Sequence, residues 1–325
     1  MAVEDNRLLS VEDLSTFFVG GERPVKAVQN VTFGIGRGEA FGLVGESGCG
    51  KTMTALSIMR LVPIPGRIMN GRIIFEHRNL MDLSQQEMQQ VRGGRIGMIF
   101  QEPLTSLNPV LRIGDQISET LITHRGVTAR QARETSVELL GKVGLDHPDK
   151  RYFQYPHQLS GGQRQRVLIA IAVSCNPSMI IADEPTTALD VTIEDQILRL
   201  LESLIAHSDM SLLFITHNLH IIKRIANRVG VMYTGRMVEQ SAVEGFFREP
   251  LHPYSRGLLD SIPEFTSGTK RLNAIPGSVP RLSELPSGCS FHPRCPHVMD
   301  RCRSEEPMMT EAKEERWVRC FLYQN

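Results

Sequence analysis

The stretch "GLVGESGCGKT" constrains this chain more than any other, because Gly45 to Thr52 satisfy the phosphate-loop pattern G-x-x-x-x-G-K-[ST]. In that pattern a strand turns sharply into a helix around an anion, and the glycines let backbone N–H groups approach phosphate oxygens. The flanks agree. "EAFGLVG" (Glu39 to Gly45) is a short apolar run of the kind that makes a buried parallel strand, and "KTMTALSIMRLV" has apolar spacing suited to a helix. An α/β chain is expected, with nucleotide held by Gly45, Glu46, Ser47, Gly48, Cys49, Gly50, Lys51 and Thr52. Lys51 would reach the β- and γ-phosphates, and the Thr52 hydroxyl would ligate Mg²⁺. The Cys49 side chain is expected to point away from the phosphates.

A second acidic element lies in "SMIIADEPTTALD", where an apolar run leads into Asp183 and Glu184. A buried parallel strand delivers such a pair to the carboxyl edge of a sheet, where α/β folds bind ligands. Asp183 would hold Mg²⁺ through water, and Glu184 is suited to orient and polarise the attacking water. Together with the phosphate loop, this pair favours an ATPase or GTPase.

Composition excludes other classes. Lys plus Arg equals Asp plus Glu at 36 each, so no global field draws nucleic acid to the surface. With 325 residues, 41% hydrophobic and 22% charged, the chain is ordinary globular protein with room for two or three units. The start "MAVEDNRLLS" is acidic where an export leader is basic, and apolar runs such as "VLIAIAV" fall far short of the roughly 20 residues that cross a bilayer. A soluble, cytosolic chain is expected, and in a reducing compartment clustered cysteines are more often metal ligands than disulfides.

Between the two acidic-site elements lies "YPHQLSGGQRQRVLIAIAV", in which Ser160 is a natural N-cap and the glycines expose N–H groups at a helix start. "LSGGQ" (Leu159 to Gln163), the phosphate loop and "IIADEPTTALD", in this order, resemble the ATP-binding-cassette ATPases. Gln101 in "GMIFQEP" and His217 in "LLFITHNL" each follow an apolar run, as the Q-loop and H-loop residues of that family do. The resemblance implies a P-loop NTPase cassette fold with an N-terminal antiparallel β subdomain, a helical subdomain over about 102–172 and a small Cys-rich C-terminal extension. The ATPase domain would span 1–262 and the extension 263–325.

The same resemblance implies a dimer in which Ser160, Gly161, Gly162 and Gln163 cover ATP bound to the opposite subunit, with Asp190 at the interface. It implies that Gln101 senses the γ-phosphate and Mg²⁺, and that His217 contacts the γ-phosphate and holds Glu184. Phe18, in preference to Phe17, would stack on adenine. The chain departs from the family's pattern at Asn218, where Asp is common.

"GESGCGKT", "FQEPLTSLNP", "YPHQLSGGQRQRV" and "EPLHPYSRGLLDSIP" together resemble the ATP-binding subunits of dipeptide, oligopeptide and nickel importers. That implies a sister ATPase in a heterodimer, two membrane permeases, an extracytoplasmic solute-binding protein, no nucleic acid, and a peripheral place on the cytoplasmic side of the inner membrane. Dipeptides, longer peptides, nickel and other small solutes all stay open. Non-transport cassettes of translation or DNA repair are the other class; one phosphate loop, one "LSGGQ" and no sustained heptads speak against them.

Beyond Pro263 periodicity fades, which reads as a peripheral extension that needs a staple. It carries Cys289, Cys295, Cys302 and Cys320, separated by 5, 6 and 17 residues, spacings of neither common zinc modules nor short bacterial ferredoxins. Spacing alone allows a four-thiolate site, and Arg294, Arg301 and Pro296 would suit an anionic cluster. The family resemblance implies a [4Fe–4S] cluster on the four cysteines. Zinc, with His292 and His297 as spare ligands, and unligated thiols remain alternatives.

Overall fold

Alternating burial shapes the first elements. β1 (Arg7–Phe18) and β2 (Val25–Gly36) bury Leu9, Val11, Val31, Phe33 and Ile35 and leave Asp13, Asn30 and Thr32 exposed. This is a computed structural model, and it describes residues 7–21, 24–187, 189–206, 209–262 and 275–324. The first residues, read above for a leader, and the first part of the extension lie outside the described residues. Contacts divide the chain into a first unit of Met1–Ile35, Ala40–Met81 and Ile215–Asn325 and a second of Gly36–Glu39 and Asp82–Phe214.

In the first unit, β3 (Ala40–Val44) is buried along its whole length, as its apolar run predicts, and it feeds the phosphate loop and α1 (Lys51–Ile58). β4 (Gly66–Phe75) pairs antiparallel with β1, from Leu9 opposite Phe75 to Phe18 opposite Gly66. With β5 (Arg78–Asn79) these strands form a sheet of order β2-β1-β4-β5. A buried contact between the Thr16 and Ser57 hydroxyls, 2.7 Å, ties β1 to α1.

The second unit opens with α2 (Gln85–Val91), whose start is closed by a reciprocal Ser84–Glu87 capping box. β6 (Ile96–Ile99) follows. The stretch 102–173 holds α3 (Pro103–Ser106), α4 (Ile113–Arg125), α5 (Ala129–Lys142), α6 (Pro148–Arg151) and α7 (Gly161–Val173). Gly126, in the left-handed region, ends α4, and a Thr128–Gln131 capping box starts α5. The Ser118 hydroxyl links α4 to α5 through Ser136 at 2.9 Å and to the Tyr152 hydroxyl at 3.0 Å. β7 (Met179–Asp183) is wholly buried and parallel to β6; α8 (Val191–Ala206) and β8 (Ser211–Thr216) follow, giving the strand order β8-β7-β6.

The chain then returns to the first unit. α9 (Leu219–Ile225) leads into β9 (Arg228–Tyr233), parallel to β3, and a tight turn at Thr234 and Gly235 joins β9 to the antiparallel β10 (Arg236–Ala242). α10 (Val243–Arg248) and α11 (Pro253–Asp260) precede α12 (Asp300–Ser304), β11 (Thr310–Lys313) and β12 (Arg316–Val318). β12 pairs with β10, so this unit carries a mixed sheet of order β11-β12-β10-β9-β3.

The expectation of a peripheral tail is corrected by that pairing. Phe291 is only 2% exposed and packs on Tyr233, Tyr254 and His252 at ring distances of 5.3, 5.4 and 5.7 Å. The tail has few apolar residues, but Phe291, Val318 and Phe321 are in the core, while Trp317 stays 40% exposed. Among the described residues no helix is long and apolar enough to cross a membrane.

Candidate functional site

At Gly45 and Gly50 the phosphate loop meets β9 and β2 as bare backbone. Gly45 (φ 152°) and Gly50 (φ 105°) take conformations that favour glycine, and Gly48 (φ 77°) does so beside open space. Gly235 N–H donates to the Cys49 carbonyl at 2.8 Å, and Gln29 N–H donates to Gly235 at 2.7 Å, pinning the loop to the β9–β10 turn. The Cys49 thiol turns inward, as expected, and is 1% exposed; burial raises its pKa against the opposing charge of Lys51. Gly50 is the N-cap of α1 and offers no side-chain cap, so the helix's first N–H groups stay open to an anion. Lys51 Nζ donates to the carbonyls of Gly45 at 2.8 Å and Glu46 at 3.2 Å.

Glu46, expected to bind nucleotide, turns to the C-terminal part of the chain instead. Its N–H donates to the Tyr254 hydroxyl at 2.9 Å, and its carboxylate accepts a two-pronged bond from Arg294 at 2.8 and 3.1 Å. Burial works against the Arg294 charge, yet its bonds to Glu46 and Tyr233 raise its pKa above the ordinary value. Arg294 therefore faces the loop and not an anionic cluster, and the tail is not remote from the loop. Arg301 instead pairs with Glu305 at 2.8 Å and stacks on Phe321, 4.2 Å from the ring centre.

His217 is exposed at the end of β8. Asn218 caps α9: its side-chain oxygen accepts the His220 N–H at 3.0 Å, an acceptor role an Asp would fill equally. Phe18 is half-buried, its ring edge against Gly66. Phe17, also half-buried, has Lys26 Nζ 5.7 Å from its ring centre.

In the second unit Gln101 and Glu184 meet. Gln101 Nε2 donates to Glu184 Oε2 at 3.1 Å, and the Thr187 hydroxyl donates to the same oxygen at 2.9 Å. Glu184 has a left-handed backbone (φ 45°), uncommon for a residue with a side chain, and nine other non-glycine residues among those described share a positive φ. Asp183, ending β7, is 2% exposed. Ser160 caps α7 in a reciprocal box: its hydroxyl accepts the Gln163 N–H at 3.3 Å, and Gln163 Oε1 accepts the Ser160 N–H at 3.0 Å. Gly161 and Gly162 begin that helix, and Gly162 sits against Ile193 so closely that a Cβ would lie 2.6 Å from Cγ2. Asp190 is exposed and accepts the Ile193 N–H at 2.9 Å.

Cys289, Cys295, Cys302 and Cys320 line one cavity with His252, Phe291 and Phe321; at about 10 Å³ it has room for one water. Burial, with the other thiols close by, pushes Cys289 and Cys320 up to about 11 and raises Cys295. The N–H groups of Phe291, His292 and Leu322 oppose that shift, and His297 N–H donates to Cys295 Sγ at 3.4 Å. Among the described residues, no three His, Cys, Asp or Glu side chains converge on one ion position. Four thiols line the cavity, but a group on all four would require its walls to spread. The sequence reading misses Tyr254 and Arg294 as partners of Glu46, contacts that only the fold creates, and Thr187 as a partner of Glu184, three residues away.

A family described as "ABC transporter" matches residues 28–187, and "Oligopeptide/dipeptide transporter, C-terminal region" matches residues 238–302. The oligopeptide transport ATP-binding protein AppD of Bacillus subtilis (strain 168) is 51% identical over 98% of this chain and 97% of its own. The dipeptide transport ATP-binding protein DppD of Haemophilus influenzae is 46% identical over 93% of this chain and 92% of its own. Among solved structures, the dimeric ATP-binding cassette MJ0796 in a post-hydrolysis state bound to ADP and Pi is similar, with a TM-score of 0.66 and 28% identity, over 72% of this chain and 98% of that one.

The tight seat of Gly162 predicts that Gly162→Ala lowers stability by about 1–3 kcal/mol in urea unfolding. Ile193→Ala, which removes the facing methyl, is expected to restore most of the loss in the double variant. Additive losses would show that the cost of the methyl group does not come from its contact with Ile193.

Proposed function

This chain belongs to the ATP-binding subunits of the oligopeptide and dipeptide ABC importers, and we propose that its residues drive solute import as follows. The observation that carries the reading is the uncapped start of α1, with Lys51 folded over the loop carbonyls where phosphate oxygens would replace them. The β- and γ-phosphates draw Lys51 from Gly45 and Glu46, and the N–H groups of Ser47, Gly48, Cys49, Gly50, Lys51 and Thr52 cradle them. Thr52, Gln101 and Asp183 would hold Mg²⁺, which when bound neutralises charge on the transferring phosphate.

Glu184 orients the attacking water and accepts its proton. For that the carboxylate must exchange its bond from Gln101 for one to water, which makes Gln101 the sensor of the γ-phosphate. His217 donates to the γ-phosphate and steadies Glu184. Phe18 stacks on adenine, and Ser160, Gly161, Gly162 and Gln163 reach the nucleotide of a sister ATPase, with Asp190 at that interface.

The cassette, 1–262, then works with a sister ATPase, two permeases and an extracytoplasmic binding protein, on the cytoplasmic face of the membrane. The helical subdomain at about 102–172 passes its movement to the permeases. The names of the relatives, one oligopeptide and one dipeptide transport protein, favour peptide over nickel as the solute. The four cysteines of the 263–325 extension we read as ligands of a [4Fe–4S] cluster, supported by four thiols on one cavity and the N–H groups beside them.

Glu184→Gln is expected to lower steady-state ATP hydrolysis by about 100-fold or more while MgATP binding persists. Lys51→Ala should instead weaken nucleotide binding itself. Near-normal turnover with Glu184→Gln at every active site would remove Glu184 from catalysis. Capture of the chain from detergent-solubilised membranes should bring a second cassette and two hydrophobic permeases; ribosomes or DNA in their place would sink the importer assignment. Protein purified without air should show a visible absorption band that dithionite bleaches and Cys302→Ser abolishes. Colourless protein with one zinc per chain would overturn the cluster.

A further inference from the structure

The segment between Cys289 and Cys295 reaches the phosphate loop by two routes. In the first, Arg294 grips both carboxylate oxygens of Glu46, with the arginine side chain 4% and the glutamate side chain 30% exposed. Arg294 Nε is bonded to the Pro276 carbonyl at 3.0 Å, so the guanidinium fork is aimed before it meets its partner. In the second, the Thr234 hydroxyl donates to Ser290 Oγ at 2.7 Å, and the adjacent Gly235 N–H holds the Cys49 carbonyl. Phe291 sits between the two routes, packed on Tyr254, whose hydroxyl takes the Glu46 N–H.

We propose that residues 290–294 are a positioning strut for the nucleotide loop: Arg294 acting through Glu46, and Ser290 acting through Thr234 and Gly235, set nucleotide affinity from the C-terminal tail. This rests on the reading of Gly45 to Thr52 as the nucleotide site. Two physical effects act together. A loop held in its binding shape loses less freedom when the ligand arrives. A carboxylate inside an anion-binding loop repels phosphate unless a cation cancels it, and Arg294 is the cation bonded to Glu46. Arg294 touches no reacting atom in this arrangement; it acts only by placing and neutralising Glu46.

The test is titration of the full-length chain with MgADP, read as Kd by calorimetry, beside the melting temperature of the nucleotide-free protein. Arg294→Gln is expected to raise Kd about tenfold, the size of one charged hydrogen-bonded contact. Arg294→Gln combined with Glu46→Gln should bind no more weakly than Arg294→Gln alone, because both changes cut one route. Ser290→Ala, a milder change on the other route, should raise Kd about threefold and supplies the answer if Arg294→Gln does not fold. A purely structural strut would lower the melting temperature and leave Kd within twofold of wild type in both single variants, and that result overturns the proposal. Losses that multiply in the Arg294 and Glu46 double variant overturn it as well. Wild-type protein that binds no MgADP would remove the nucleotide reading and this inference together, an outcome distinct from equal binding by wild type and variants.

Discussion

At Gly45 a Cβ would stand 2.3 Å from the Met232 carbonyl oxygen, and at Gly50 it would stand 2.4 Å from that of Ala27. No side chain fits in either place, and neither obstacle is a flexible tip that could move aside. The phosphate loop therefore runs against β9 and β2 as bare backbone, and the rest of the site follows. Cys49, held between those contacts, points inward and is buried. Lys51 emerges with its amine over the loop it came from, and the β9–β10 turn comes close enough for Gly235 to bond the loop directly. The loop's shape is thus a property of the whole first unit and not of eight residues.

What was legible in the sequence was local. A glycine pattern between an apolar strand and a helix, a Ser160 cap three residues before Gln163, and apolar runs ending in Asp183 each carry their structure in neighbouring residues. The partners of Glu46 were not legible, because Tyr254 and Arg294 are 208 and 248 positions away and nothing in their immediate surroundings marks them. The place of the tail is not legible for a related reason. Its fading periodicity does mark irregular backbone, but buried Phe291, Val318 and Phe321, the β12–β10 pairing and the Arg294–Glu46 pair place it against the first unit. Counting apolar residues underweights both, since an aromatic ring buries far more surface than a typical residue and a buried cation must find its partner.

Position and chemical type also separate at Asn218 and Glu184. At Asn218 the departure from the family's usual Asp changes the charge and leaves the capping oxygen in place, so the start of α9 is served either way. At Glu184 the side chain alone does not describe the residue, because its left-handed backbone turns the chain out of β7 and sets the carboxylate against Gln101 and Thr187. Such a conformation costs on the order of 1–3 kcal/mol, and the surrounding fold must impose it.

The pairing of β12 with β10 has a consequence for how far the chain can be shortened. Glu239 and Gln240 of β10 face Val318 and Trp317, which lie beyond residue 302, where the match to the transporter C-terminal region ends. A chain cut there would leave β10 as a bare sheet margin in a largely buried strand, open to pairing with another molecule. In the intact chain that margin passes to β11, four residues long, with exposed Glu311 and Lys313 on it. Short and charged, β11 is a poor template for further strands. β12 and β11 thus shield the margin of β10 from other strands, apart from anything the cysteines bind.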